Sequence, residues 1–319
     1  VSYMKQGGIL GKPAASEYSR MTVRMNSEHI LWKNKDKDYD IITFGENFYY
    51  NHNERSGIQT GNQYANDISW MLRANPLVPV YNEKGEYYMY DDLKNDGWFG
   101  FNSYTSNPIA SMANSARANN KSKNYGVTMI GYLKIQPIKG LIYKGQFGYK
   151  QSSSSYRSYD PIYKINDSGE SRTNNSVNQN MSAGWSWSVE NTLGYNFDVA
   201  GNSFDILVGQ SFKQDGHGHG ESMSATANSL LFEDWNRAYL SNSTASQPVS
   251  ASGEPWGDGS LASFFGRLNY NFNETYMASF TLRADGSSNF AEGNRWGYFP
   301  SASVGWVLTN EEFMSGVTN

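Results

Sequence analysis

The residues Ser263-Phe264-Phe265-Gly266-Arg267-Leu268-Asn269-Tyr270-Asn271-Phe272 decide the fold, together with the segment that follows the turn at Asn273-Glu274. Phe264, Gly266, Leu268, Tyr270 and Phe272 fall on one set of alternate positions, and Ser263, Phe265, Arg267, Asn269 and Asn271 on the other. After the turn, Tyr276, Ala278, Phe280 and Leu282 take one face, and Met277, Ser279, Thr281 and Arg283 the opposite one. Successive side chains of a strand point to opposite sides, so this period of two predicts a hairpin with one apolar and one polar face.

The same period recurs upstream. Trp185, Trp187, Val189, Leu193, Tyr195 and Phe197 alternate with Ser186, Ser188, Glu190, Thr192 and Asn196. Phe204, Ile206, Val208 and Phe212 share a face, as do Tyr125, Val127, Met129, Leu133 and Ile135. Tyr143, Phe147 and Tyr149 oppose Lys144, Gln146 and Lys150. Less regular strands are expected at 18–32 and 39–50, and a last one at 296–309 with Ala302, Val304, Trp306 and Leu308 outward. About nine strands result, each long enough to cross a bilayer when tilted.

A soluble sandwich also alternates, so the connections matter more. Short turns are expected at 34–38, 137–140, 199–202 and 273–274, and long polar segments at 51–123, 151–181 and 214–261. Short and long alternate strictly, as in transmembrane barrels with short turns at one rim and long loops at the other. Within the long segments, 64–75 has the spacing of a short amphipathic helix, while 152–155 and 174–180 are Ser/Asn-rich and read as exposed loop.

Composition agrees. Tyr (23), Trp (9) and Phe (16) make 15% of the chain, yet mean hydropathy is −0.64. Strands with one face in lipid and the other in water produce that pairing, although a secreted sugar-binding β-protein would share it. No stretch is apolar enough for a membrane helix. The net charge of −4 and the lack of a basic block argue against nucleic acid as the partner. Without cysteine there is neither a disulfide frame nor a thiolate metal site. Val1-Ser2-Tyr3-Met4-Lys5 lacks the apolar segment of a signal peptide, so the chain reads as an interior piece of an exported protein.

The run from Ser263 to Phe290, followed by Arg295 to Met314, resembles the SusC/RagA family of TonB-linked outer-membrane proteins. The specific pieces are Gly266-Arg267-Leu268-Asn269-Tyr270, Leu282-Arg283-Ala284-Asp285-Gly286-Ser287-Ser288 and Trp296-Gly297-Tyr298-Phe299-Pro300-Ser301. Weaker matches are Asn75-Pro76-Leu77, Gln136-Pro137-Ile138-Lys139-Gly140-Leu141 and Glu190-Asn191-Thr192-Leu193. The resemblance implies an all-β, antiparallel transmembrane β-barrel segment with long extracellular loops, part of a barrel of roughly 22 strands. Residues 1–319 would then lie within the barrel domain, without the N-terminal plug and the final strands. It further implies a Bacteroidetes outer membrane, a SusD-like surface lipoprotein, the TonB complex, import of oligosaccharide or peptide, and room for a dimeric transporter–lipoprotein assembly. A surface adhesin or carbohydrate-binding protein, and a passive porin, are the alternative readings.

No residue pattern calls for an enzyme, a metal or a cofactor. His217 and His219 sit in a Gly-rich loop; Asp258 and Asp285 occupy turn sequences without a full calcium ligand set; Glu233–Asp234 and Glu311–Glu312 are carboxylate pairs without a catalytic setting. Trp70, Trp98, Phe99, Trp235 and Trp256 are the candidates for substrate contact, since flat rings suit the C–H faces of sugars and loops carry binding. Their alternative role is packing between loops. Lys144, Lys150, Arg267 and Arg283 are expected to face the lumen, where they line a substrate path or pair with plug carboxylates.

Overall fold

The structure is a computed structural model and describes residues 1–9, 16–36, 38–57, 67–72, 74–98, 107–117, 119–167, 171–215, 220–244, 250–255, 259–314 and 316. Fourteen strands are present among these residues: β1 (Ser2–Gly7), β2 (Glu17–Lys33), β3 (Asp40–Ser56), β4 (Asn120–Ile138), β5 (Leu141–Asp160), β6 (Tyr163–Lys164), β7 (Ser171–Arg172), β8 (Ser176–Val199), β9 (Asn202–Asp215), β10 (Gly220–Asn228), β11 (Ser250–Pro255), β12 (Gly259–Phe272), β13 (Tyr276–Ser287) and β14 (Trp296–Trp306). Three short helices, α1 (Asp67–Leu72), α2 (Tyr90–Asn95) and α3 (Pro108–Arg117), lie between β3 and β4. No helix among the described residues is long and apolar enough to cross a membrane.

One antiparallel wall runs β1-β2-β3-β4-β5-β8-β9-β12-β13-β14, each strand beside its neighbour in the chain order of the wall. All nine expected strands are in it, and β1 adds a tenth. The four expected short turns lie at one end. One of the two two-residue turns joins β8 to β9, where Ala200 (φ 48°) and Gly201 (φ 77°) both take left-handed backbone. That is the conformation a two-residue hairpin turn requires to match the strand twist. The last strand is shorter than expected: it closes at Trp306, and Leu308 begins a 3-10 turn instead of continuing the face.

The register sorts the residues into two faces. Leu268 pairs with Ile206 and Phe280, and Phe280 with Ala302; Ala278 pairs with Tyr270 and Val304. This apolar face is open, with Val304 90% and Phe280 50% exposed. Two polar pairs that fall on it are hydrogen-bonded: Ser27 donates to Glu46 at 2.9 Å, and Tyr143 to Asn191 at 2.7 Å.

Aromatic rings edge the apolar face at both ends. At the short-turn end Tyr195, Phe197, Phe204 and Tyr270 follow one another at ring distances of 4.9, 5.0 and 5.2 Å, and Tyr276 stacks on Trp306 at 6.3 Å. At the other end Tyr149 lies on Trp185 (6.1 Å), Trp187 on Phe212 (5.2 Å) and Phe264 on Trp296 (6.0 Å). Trp296 and Trp306 bound one 11-residue strand. At about 3.3 Å per residue and a tilt near 40°, their separation along the barrel axis is ~25 Å, the height of a bilayer's apolar band.

Beyond this second aromatic row the wall continues into regions expected as loop. Residues 152–155 belong to β5 and 176–180 to β8; only 174 and 175 of that Ser/Asn-rich run stay outside a strand. The lower half of β8 pairs with β9 and its upper half with β10, which in turn carries β11. Ser154 and Ser182 share a hydrogen bond at 2.7 Å, and Ser224 donates to Asn180 at 2.7 Å. Cross-strand hydroxyl and amide pairs therefore hold strands here whose composition alone reads as loop. Among the described residues a buried hydrophobic cluster also lies at this end: Tyr159, Val177, Ala227, Leu230 and Ala238, with Trp235 and Leu240 packed on it.

Candidate functional site

The polar face of the wall and the cap at its long-loop end bring together most of the candidate residues. Lys144, Lys150, Arg267 and Arg283 all occupy the polar face. Arg267 reaches Asp205 on β9 at 3.3 Å, and Asn269 donates to the same carboxylate. The Arg283 Nε lies 2.8 and 2.9 Å from the two oxygens of Asp285, its Nη2 donates to Ser263 at 2.9 Å, and its guanidinium stands over the Phe265 ring. Both arginines are thus tied within the wall. The Lys144 ammonium lies 4.6 Å over the Tyr132 ring, and the Tyr132 hydroxyl donates to Glu28 at 2.6 Å. Tyr132 can lie flat because Gly45 sits beneath it; a Cβ there would meet the ring at 2.1 Å. Lys150 shares a register row with Arg24, Tyr49 and Thr128.

The cap is built from the β3–β4 and β5–β8 connections. Asn107 precedes Pro108, the first residue of α3. Its Oδ1 accepts the amides of Ile109 and Ala110 at 3.1 and 3.2 Å, and its Nδ2 donates to the carbonyls of Val80 (2.9 Å) and Tyr88 (3.0 Å). An asparagine N-cap followed by proline starts the helix, and the same side chain pins the preceding loop to it. Four charges then join the two connections. Lys94 contacts Asp91 (2.6 Å) and Asp167 (2.9 Å), and Lys164 contacts the same two at 2.7 and 3.1 Å. Hydrogen bonds from Lys164 and Lys94 hold the Asp91 carboxyl below its ordinary range; Lys94 and Lys164 do the same for Asp167, and both ammonium groups are raised in turn. Beside them, burial and the Asp96 carboxylate push the Tyr88 hydroxyl up to about 12.

The aromatic candidates divide. Trp98 is 39% exposed and stands beside this network. Trp235 packs against the buried cluster, and Arg157 is sandwiched between its ring (3.7 Å) and that of Tyr239 (4.0 Å) while donating to the Ala238 carbonyl at 3.0 Å. One face of Trp235 is therefore already covered. Phe99 and Trp256 lie outside the described residues, and so does the side chain of Trp70. His217, His219 and Asp258 also lie outside them. Of the carboxylate pairs, Asp234 is bound by Arg237, and Glu311 accepts from Tyr276 (2.6 Å) and Trp306 (2.9 Å). Both serve local structure.

Sequence reasoning did not find Asn107, Arg157 or the four-charge link. The spacings Asp91–Lys94 and Lys164–Asp167 are visible in the chain, but their meeting depends on two loops folding over the same rim.

No family model matches the chain. It is 25% identical to the TonB-dependent receptor P26 of Formosa agariphila over 98% of its own length and 29% of that protein's. It is 34% identical to the TonB-dependent receptor SusC of Bacteroides thetaiotaomicron over 146 residues, 42% of this chain and 13% of SusC. Among solved structures, the RagAB peptide importer in its closed-closed state superposes with a TM-score of 0.74 at 20% identity, covering 98% of this chain and 32% of that one. The chain thus spans about three-tenths of the length of the relatives it matches end to end. This ten-strand wall, apolar on one side and polar on the other, resembles a section of the outer-membrane β-barrel of SusC/RagA-like TonB-dependent receptors.

Proposed function

We propose that residues 1–319 form part of the barrel domain of an active importer, with the plug and the remaining strands supplied elsewhere in a longer receptor. The apolar face meets lipid, the polar face lines the lumen, and the cap receives substrate from outside. The observation that carries this reading is the ten-strand wall itself, with aromatic rows at both ends of its apolar face and charged residues on the other. In this role the chain contributes wall and binding surface but no covalent chemistry. Displacement of the plug is powered from the inner membrane through TonB, and a SusD-like lipoprotein closes over the cap. The cargo is oligosaccharide or peptide: RagAB is a peptide importer, and half-exposed Trp98 offers a ring that suits either a sugar or an apolar side chain.

Uptake of labelled oligosaccharide and peptide libraries by cells carrying the complete receptor tests this reading. Import is expected to stop when TonB is deleted and to fall when the co-purifying lipoprotein is removed. Uptake that continues at full rate without TonB would make the wall part of a passive pore.

A further inference from the structure

The polar face is not uniform in charge. One sector spans β2 to β5, from the row Arg20–Asn53–Asn124–Ser154 to the row holding Lys134 and Lys144. It carries Arg20, Arg24, Lys134, Lys144 and Lys150 against Glu28 alone. The sector from β8 to β13 sets Lys213, Arg267 and Arg283 against Glu190, Asp198, Asp205 and Asp285. The chain as a whole has 26 basic and 30 acidic residues, so the basic sector runs counter to composition.

The two sectors also differ in how their cations are held. Arg267 and Arg283 are paired with carboxylates. None of the five cations between β2 and β5 forms an ion pair among the described residues. Arg20 donates to the Tyr49 hydroxyl at 2.7 Å, and Arg24 lies 5.3 Å over the ring of the same tyrosine. Both guanidinium groups are positioned, and neither is neutralised. A cavity of about 490 Å³ opens on Arg20, Arg24, Tyr49 and Thr22. Glu28, the carboxylate of the sector among the described residues, is engaged by Tyr132 at 2.6 Å, and Glu190 of β8 lies across from Gln146, one strand beyond the sector. Lys134 and Lys144 stand directly opposite each other in register. Like charges so placed repel, and an anion between them removes the cost.

We infer that the β2–β5 sector of the polar face is an anion track for cargo bearing sulfate, phosphate ester or carboxylate groups. The anionic group is held first by the planar forks of Arg20 and Arg24, which match such oxygens in pairs. Lys150, in the same row as Arg24, and then the Lys134–Lys144 pair continue the track towards the short-turn end. The inference rests on the reading of this face as the lumen and adds to it the charge of the cargo.

The test is equilibrium binding to the complete receptor purified in detergent, where no energy source acts. The probes are sulfated dextran oligosaccharides with their unsulfated counterparts, and oligo-aspartate with oligo-asparagine. Sulfated dextran, oligo-aspartate or both should bind, and the neutral probes should not. Binding by only one anionic probe names the carrier of the charge. Arg20→Gln with Arg24→Gln should weaken anion binding by about tenfold or more. The Arg20→Lys/Arg24→Lys pair should retain part of it, and Lys35→Gln in a short turn should leave it unchanged. Raising ionic strength from about 0.1 M to 1 M, which shortens the Debye length from roughly 10 to 3 Å, should weaken it as well. Equal affinity for charged and neutral probes would overturn the inference. So would a glutamine double variant that binds anions like the parent but melts earlier, because the arginines would then be serving fixed carboxylates of another domain. Failure of the transport reading itself registers separately, as uptake that does not depend on TonB.

Discussion

Single residues on this wall are constrained by the face they occupy. Phe280 lies between Leu268 and Ala302 on the apolar side, near the middle of its strand. Phe280→Arg in the complete receptor is expected to cost about 2–4 kcal/mol, the penalty for a cation near the bilayer midplane. Thr281→Arg, on the polar side of the same strand, should cost far less. Equilibrium unfolding in lipid measures both, and equal costs would contradict the assignment of faces. Gly45 is constrained from the other direction. Gly45→Val places a side chain where the Tyr132 ring lies, and the ring contact begins at 2.1 Å. Overpacking of this kind costs about 1–3 kcal/mol. It should also detach Tyr132 from Glu28 and from Lys144. Adding Tyr132→Ala should recover most of the lost stability; no recovery would place the strain elsewhere.

At the scale of elements, two kinds of signal compete. Alternation identifies the strands of the apolar band because lipid selects one face of each. Above the band no such selection acts, and the upper parts of β5 and β8 resemble loop in composition while pairing as strands. The helix α3 depends on one side chain. Asn107→Ala removes the cap on Ile109 and Ala110 and leaves the Val80 and Tyr88 carbonyls without their donor. The expected loss is about 1 kcal/mol for the cap, plus that of the two loop contacts. Hydrogen exchange at 109–113 should accelerate, and exchange at 80–88 should accelerate with it. A change confined to the helix would show that Asn107 does not anchor the loop.

In the molecule as a whole no central hydrophobic core forms among the described residues: the apolar face of the wall is exposed, and the buried cluster lies where β5, β8 and β10 meet the segment 230–240. The cap's cohesion therefore depends heavily on polar links, which makes it sensitive to pH at the extremes. Asp91 and Asp167 are depressed below their ordinary value of 3.8, so their contribution is complete above that value and is lost as pH falls through the depressed ones. Lys94 and Lys164 are raised above 10.5, so theirs is complete below that value and is lost only as pH rises through the raised ones. Limited proteolysis of the segment 82–96 should be flat from mildly acid to mildly alkaline pH and should increase on acidification into the carboxylate range. Lys94→Gln should remove that acid step. A transition near neutrality would refute the four-charge link as the docking element.

What the chain determined by itself follows from local periodicity. The run from Ser263 to Arg283 specifies a hairpin with an apolar and a polar side, because strand geometry turns every second residue the same way. The placement of Lys144, Lys150, Arg267 and Arg283 on the polar side was legible for the same reason. Arg283 meets Asp285 two residues along the same strand face, but tertiary structure decided that Arg267 is neutralised as well. Asp205 lies far from Arg267 in sequence and reaches it only through strand register, whereas no carboxylate comes within pairing distance of Arg20 or Arg24 among the described residues. It also decided that Trp235 packs under Arg157, and that two distant loops share four charges. Those contacts join residues whose spacing in the chain carries no period, so only the folded wall brings them together.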